Sequence, residues 1–556
     1  MAPYTARVSL DDEFTPEERE ILARHVTNVD QPVFALTDLP EVVKGALFAR
    51  YSRSRKSLRR LLLDEFVADL DGPAATTDGG ADGRASRAER LYERVFVEYG
   101  DDSVAQLGGA HVAVEQASNL LTKQLEWGRL AAYLEQSTRY IPYDDKPGGR
   151  YRYHRDADVM ASPHARAYET TIDAVFDTYV ALLPRVRAWA EARFPQDPDT
   201  SDRAYRAAIT AKVCDALRGL LPAATTSNVG IYASGQAYEQ MLLRLRASEL
   251  VEARTVGDAM LAELRKVIPS FLARVDRPDR GGVWSQYLAD TRAATRAVAE
   301  ELLAGIEPRP AGEVELVAYS PDAEVELVTG MLYPHSHLPE AQLREVVEGM
   351  SAEDRLRVVR AYVGQRSNRR HKPGRALERV WYRFDVCSDY GAFRDLQRHR
   401  MLTIEWQDLS PRHGYDTPPE IVEAGVEAEW HRALARLEEL WARLHPDLPA
   451  QSQYAVGFAH RLRYSMQLNA RAAMHLLELR TTPQGHPSYR RIAQQMHRLI
   501  AEEAGHPAVA ELMSFVDHGP GTELERLAAP PAAWPEDDRP PRLTAEGPGE
   551  RPLGSP

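Results

Sequence analysis

Residues 124–140 read QLEWGRLAAYLEQSTRY, and residues 395–411 read DLQRHRMLTIEWQDLSP. Laid on each other without a gap, the first supplies Glu135, Ser137 and Arg139 where the second has Trp406, Asp408 and Ser410. The second supplies Arg398, His399 and Arg400 where the first has Trp127, Gly128 and Arg129. Each segment keeps what the other lacks. That is the pattern of two diverged copies of one unit whose roles have been divided.

The surroundings repeat in the same order. Val112 and Val114 alternate as in a half-buried strand, Ser118 can cap a helix through Leu121 and Leu125, and that helix ends near Trp127-Gly128-Arg129. Val380, Tyr382, Phe384 and Val386 alternate likewise, Asp389 can cap, and the helix ends around Arg398-His399-Arg400. Later stretches, 231–245 and 465–479, both carry apolar residues at helical spacing. In the second of these Asn469, Arg471, His475 and Arg480 project around the apolar stripe, whereas the first lacks the Asn and the first Arg.

A chain of 556 residues exceeds what one core usually organises, so two domains are expected. The break EPRPAG at 307–312 separates them, and 314–319 restarts as an alternating strand. The expected division is a first domain over 1–306, a second over 313–528 and a Pro-rich disordered tail over 529–556, with a Gly- and Asp-rich insertion at 71–86.

Taken alone, Arg398-His399-Arg400 is a basic helix end that complements the macrodipole. In an extended segment Glu135, Ser137 and Arg139 would share one face, since side chains alternate with period two. Arg and Ser there suit a phosphate, and the carboxylate suits a ribose hydroxyl or a proton.

The joint pattern, R-H-R followed after seven residues by Ser, with Glu two before and Arg two after it, resembles the signature of the flavin-dependent thymidylate synthase family. The resemblance implies an α+β fold, here two tandem copies of a domain with a mixed sheet and long helices. It implies active sites between subunits, where the R-H-R helix of one meets the E-x-S-x-R segment of another. In this chain one composite site would survive per pair of copies. The flavin side would comprise Arg398, His399, Arg400, Glu378, Asn469, Arg471 and His475. The nucleotide side would comprise Gln124, Glu135, Ser137, Arg139, Arg218 and Arg480, with Arg398, His399 and Ser137 closest to the chemistry and no metal. Arg218 with Leu220-Leu221-Pro222 resembles the family's A-R-x-V-L-P segment, where the second copy has Gln453. Arg244 and Arg246 are further candidates.

FAD would be the cofactor, with NADPH and methylenetetrahydrofolate as co-substrates and deoxyuridylate or a related pyrimidine nucleotide as acceptor. A homodimer would assemble four domains. Departures from the family pattern are Gln106 and Leu107 for an acidic residue and a His, Arg375 for a small polar residue, and Asp395 for Gln. A carboxylate at Asp395 or Asp408 facing the site would repel a phosphate. The competing expectation is a catalytically silent paralogue that binds nucleotide or flavin for sensing or assembly.

Composition sets the outer limits. The net charge of −13 and the absence of a basic stripe with interleaved aromatics argue against nucleic acid as a partner. No apolar run reaches membrane-spanning length, and Cys214 and Cys387 are the only cysteines, so a cytoplasmic protein is the expectation.

Overall fold

The computed structural model describes residues 14–52, 54–67, 106–521 and 524; the 71–86 insertion and the 529–556 tail lie outside them. The described strands are β1 (Gly109–Ser118), β2 (Ala131–Glu135) and β3 (Thr226–Ser234) in the first copy. In the second they are β4 (Val314–Tyr319), β5 (Trp381–Asp389), β6 (Thr403–Trp406) and β7 (Arg461–Asn469). They form two sheets, ordered β1-β3-β2 and β4-β5-β7-β6. With β4 set aside the orders are identical, since β1, β2 and β3 correspond to β5, β6 and β7.

The architecture is α+β, as expected, although each sheet is antiparallel in every described pairing instead of mixed. The reason is topological. β3 and β7 return after long helical excursions and enter between two strands that both run the other way.

Local sequence sets the strand-to-helix corners. The Ser118 side chain accepts from the Leu121 N–H and starts the helix Asn119–Leu125; Asp389 accepts from the Ala392 N–H and starts the helix Tyr390–Gln397. Farther along, the expected helices at 231–245 and 465–479 are each part strand. β3 runs to Ser234 and β7 to Asn469 before the helices Gly235–Arg246 and Ala470–Arg480 begin. Ser234 and Asn469 are the caps, accepting from the Ala237 and Ala472 N–H groups. A cap residue beside an alternating apolar run marked each corner, and the helical periodicity beyond it masked the strand before it.

The two copies meet through equivalent segments. Pro222 bridges Gly457, and around them the Ala223 N–H donates to the Val456 carbonyl at 2.8 Å while the Phe458 N–H donates to the Leu221 carbonyl at 2.9 Å. These reciprocal bonds between matching stretches are the mark of a pseudo-twofold contact. Beside it the fully buried Trp430 packs so closely on Gly219 that a Cβ there would come within 2.5 Å of the indole. One continuous apolar core, running from Leu217 and Leu221 to Trp430 and Phe458, therefore joins the copies. Emptying the Trp430 position would cost about 3–5 kcal/mol.

Candidate active site

The helix Tyr390–Gln397 ends one residue before Arg398, so the R-H-R triplet caps it and faces the first copy across the pseudo-twofold contact. Glu135, the last residue of β2, is buried there. Its carboxylate accepts from Arg394 at 2.8 Å and from Lys123 at 3.2 Å, and Arg398 lies 4.0 Å away. Burial on its own would raise the Glu135 pKa, but Arg394, Lys123 and Arg398 together hold it well below the usual carboxylate range. Glu126, beside Lys123, is pushed up by burial.

A second carboxylate is buried beside it. Asp395 pairs with Arg398 at 2.5 Å and Arg480 at 3.3 Å, and Arg218 approaches to 3.8 Å. Burial would again raise its pKa, and these arginines with Arg139 depress it far below the ordinary value. Arg139 is clamped bidentately by Asp215 at 2.8 and 2.7 Å and donates to the Tyr489 hydroxyl at 3.0 Å. Lys123, Arg139, Arg218, Arg394, Arg398 and Arg480 thus face Glu126, Glu135, Asp215 and Asp395, a formal excess of two positive charges.

His399 is held by Arg480, whose Nε donates to His399 Nε2 at 2.8 Å. An arginine cannot accept a hydrogen bond, so Nε2 is the acceptor and the ring proton is on Nδ1. Burial, then Arg480, His475 and Arg398, push the His399 pKa well below its usual value and keep it neutral. His475 lies against it, ring centroids 5.5 Å apart.

The flavin-side residues of the sequence reading converge. Arg398, His399, Arg400, Glu378, Asn469, Arg471 and His475 line one cavity of about 360 Å³, and Arg480, expected on the nucleotide side, lines it with them. Arg471 pairs with Glu378 at 3.1 Å and donates to the Pro373 carbonyl at 3.0 Å. Asn469, as helix cap, has its side-chain oxygen committed to the backbone, and Arg400 donates to the Ala131 carbonyl of the first copy.

The nucleotide-side residues divide. Glu135, Arg139, Arg218 and Arg480 belong to the ionic cluster. Ser137 lies beyond the end of β2 and Arg139 in the turn that follows, not together on a strand face, and the Ser137 hydroxyl accepts from the Arg139 N–H at 3.2 Å. The strand stops at Glu135 because the chain must turn there to bring Arg139 onto Asp215, which period-two alternation cannot do. Arg218 and Asp215 also line a separate cavity of about 340 Å³ with His486 and Asp389. Gln124 is not with them: it lines a different inter-copy cavity with Trp127 and Trp406, because it is the counterpart of Asp395 and the pseudo-twofold carries it to the opposite contact. Asp408 lines that other cavity too, so of the two carboxylates expected to disturb the site, Asp395 alone faces it. Arg246 pairs with Asp258, whereas Arg244 enters the Gln124 cavity.

Sequence reasoning missed Lys123 and Arg394, which occupy matching positions one residue before the two quoted stretches; extending the overlay by one residue would have found them. Asp215, His486 and Tyr489 carry no such signal.

A sequence model described as thymidylate synthase complementing protein matches residues 49–270 and 315–506. The chain belongs to that family. The family is that of the flavin-dependent thymidylate synthases, and its pattern occurs here twice in tandem. UPF0159 proteins of Chlamydia muridarum and Chlamydia pneumoniae are 39% and 40% identical, over 94% and 93% of this chain and 98% and 97% of theirs. A UPF0159 protein of Thermoplasma acidophilum is 30% identical over 87% of this chain and 97% of its own. Among solved structures, a UMP/dUMP methylase PolB from Streptomyces cacaoi bound with 5-Br dUMP is 19% identical with a TM-score of 0.28, covering 38% of this chain and 100% of that one. No helix among the described residues is long and apolar enough to cross a membrane, and no group of three or more His, Cys, Asp or Glu there could hold a metal ion.

Proposed function

We propose that this family member transfers a one-carbon unit to C5 of deoxyuridylate or a related pyrimidine nucleotide, at one composite site between its two tandem copies. The observation that carries the reading is the junction of Arg398 from the second copy with Glu135 from the first, inside a cluster that also holds Arg139, Arg218 and Arg480. The excess of two positive charges there suits a phosphate dianion, which arginine forks bind bidentately. The division into domains at 1–306 and 313–528 belongs to the same reading, as does a homodimer of four domains in the cytoplasm.

FAD fits the residues present. Arg398 Nε is buried without a hydrogen-bond partner and Arg471 and Lys372 add cations to the same cavity, a donor set suited to a diphosphate. Arg398, His399, Arg400, Asn469, Arg471 and His475 would hold it, with Glu378 orienting Arg471. When bound it would supply the reducing and carbon-transferring chemistry, with NADPH and methylenetetrahydrofolate as co-substrates. Arg139 and Arg218 would take the nucleotide phosphate by exchanging their carboxylate partners for it. Glu135, held ionised by three cations, fixes the position of Arg398 across the contact. The Ser137 hydroxyl, bonded to the Arg139 N–H, orients that turn and is not a nucleophile. Neutral His399 presents its Nδ1–H as a donor.

The second reading, a silent nucleotide- or flavin-binding paralogue, is favoured by Asp215 and Asp395, which already neutralise the arginines. Purified protein that is yellow and exchanges the C5 proton of deoxyuridylate supports the enzyme. Arg398→Ala and Arg139→Ala, on opposite copies, should each abolish nucleotide binding, and full exchange activity in either variant would sink the composite site. Flavin or nucleotide binding without exchange selects the silent reading.

A further inference from the structure

The pseudo-twofold that brings Arg398 to Glu135 brings their counterparts, Trp127 and Trp406, together at the opposite contact. There the ion pair is replaced on both sides at once by an edge-to-face aromatic pair with centroids 5.8 Å apart. Gly128 stands where the composite site has His399; a Cβ there would lie 2.7 Å from the Tyr133 hydroxyl and 3.4 Å from an Arg244 nitrogen. Losing that side chain gives Arg244 room to lie with its guanidinium 5.3 Å from the Trp127 ring centroid.

These replacements do not close the contact. They line a cavity of about 600 Å³, within the range of small-molecule sites. One wall is the helix Val283–Leu302, which supplies Arg292 and Arg296 and has no counterpart in the lining of the flavin-side cavity.

The charges of the lining are unevenly committed. Arg296 takes up Glu249 bidentately, at 2.5 and 2.9 Å, and lies 3.9 Å from the largely exposed Asp408; Glu405 is exposed. Arg244, in contrast, has no carboxylate partner among the described residues, and its Nε is buried without a hydrogen bond. Arg292 donates to the Ala247 carbonyl at 2.9 Å and also has no carboxylate partner there. The Gln124 amide is unbonded among the described residues.

We propose that this cavity is a second ligand site, taking a planar heteroaromatic ring that carries an anionic group. The ring stacks on Trp127, the Gln124 amide reads its polar edge, and Arg244 and Arg292 hold the anion. The assignment does not depend on what the R-H-R site does.

The test uses the full chain and flavin mononucleotide, with riboflavin as the uncharged analogue. Trp127→Phe identifies the part of the fluorescence quenching that reports this cavity. That part is expected to persist in Arg398→Ala, to need tenfold or more flavin mononucleotide in Arg244→Gln, and to be weaker for riboflavin. Arg292→Gln serves as a second variant should Arg244→Gln not fold. The proposal is overturned if no quenching depends on Trp127, if neither arginine variant shifts the titration, or if Arg398→Ala abolishes it.

Discussion

The two contacts across the pseudo-twofold start from equivalent positions and have reached opposite chemistries. At one, Arg398 and Glu135 lie 4.0 Å apart in a buried network of guanidinium and carboxylate groups; at the other, Trp127 and Trp406 meet edge to face around a larger cavity. At the second contact both members of the facing pair have changed, and the two tryptophans pack on each other where the first contact has a charge on each side. In a symmetric homodimer such a change would alter both sites. Fusion of the copies let one site keep its charges while the other lost them.

The largest difference between the two should be in stability. Arg394→Ala removes the closest partner of the buried Glu135, and breaking a buried pair costs about 3–5 kcal/mol. Denaturant unfolding should show that loss; a cost near that of a surface ion pair, under ~1 kcal/mol, would break the claim that the ionic contact is held by mutual neutralisation.

A smaller effect sharpens the role of Asp395. It occupies the arginine cluster as an internal anion, so Asp395→Asn should release Arg218, Arg398 and Arg480 and tighten uridine monophosphate binding by about tenfold, roughly 1.4 kcal/mol, at low salt. Unchanged or weaker binding would mean that the carboxylate orients the arginines and does not compete with the phosphate.

The smallest effect is in pH. The His399 and His486 pKa values are lowered by burial, so the unfolded chain takes up protons near its own value of ~6.5 that the folded chain refuses. Their contribution is whole above ~6.5 and is lost as pH falls. The depressed Glu135 and Asp395 contribute above ~4 and are lost below it, while the raised Asp389 works in the opposite direction. Thermal unfolding followed from about pH 8 to about pH 2 should fall in these two stages. His399→Gln should flatten the first; an unaltered profile would remove that histidine from the explanation.

Much of the site was legible because it is local. The caps at Ser118, Asp389 and Asn469 and the gap-free overlay of the two stretches depend on near neighbours in the chain, and they located the R-H-R cavity and its cross-copy partner Glu135. What was not legible depends on distant segments. Asp215 reaches Arg139 from a helix far along the chain, and Tyr489 comes from the other copy. The family resemblance puts Gln124 on the nucleotide side, yet symmetry carries it to the opposite cavity.

The sequence by itself determined that the chain is a duplication and that its halves lost complementary residues, since both follow from residue identity at fixed offsets. Only the tertiary structure decided which losses face each other. The reciprocal backbone bonds around Pro222 and Gly457 set the pairing of the copies, and that pairing gives each buried charge its counter-ion and places Trp127 opposite Trp406.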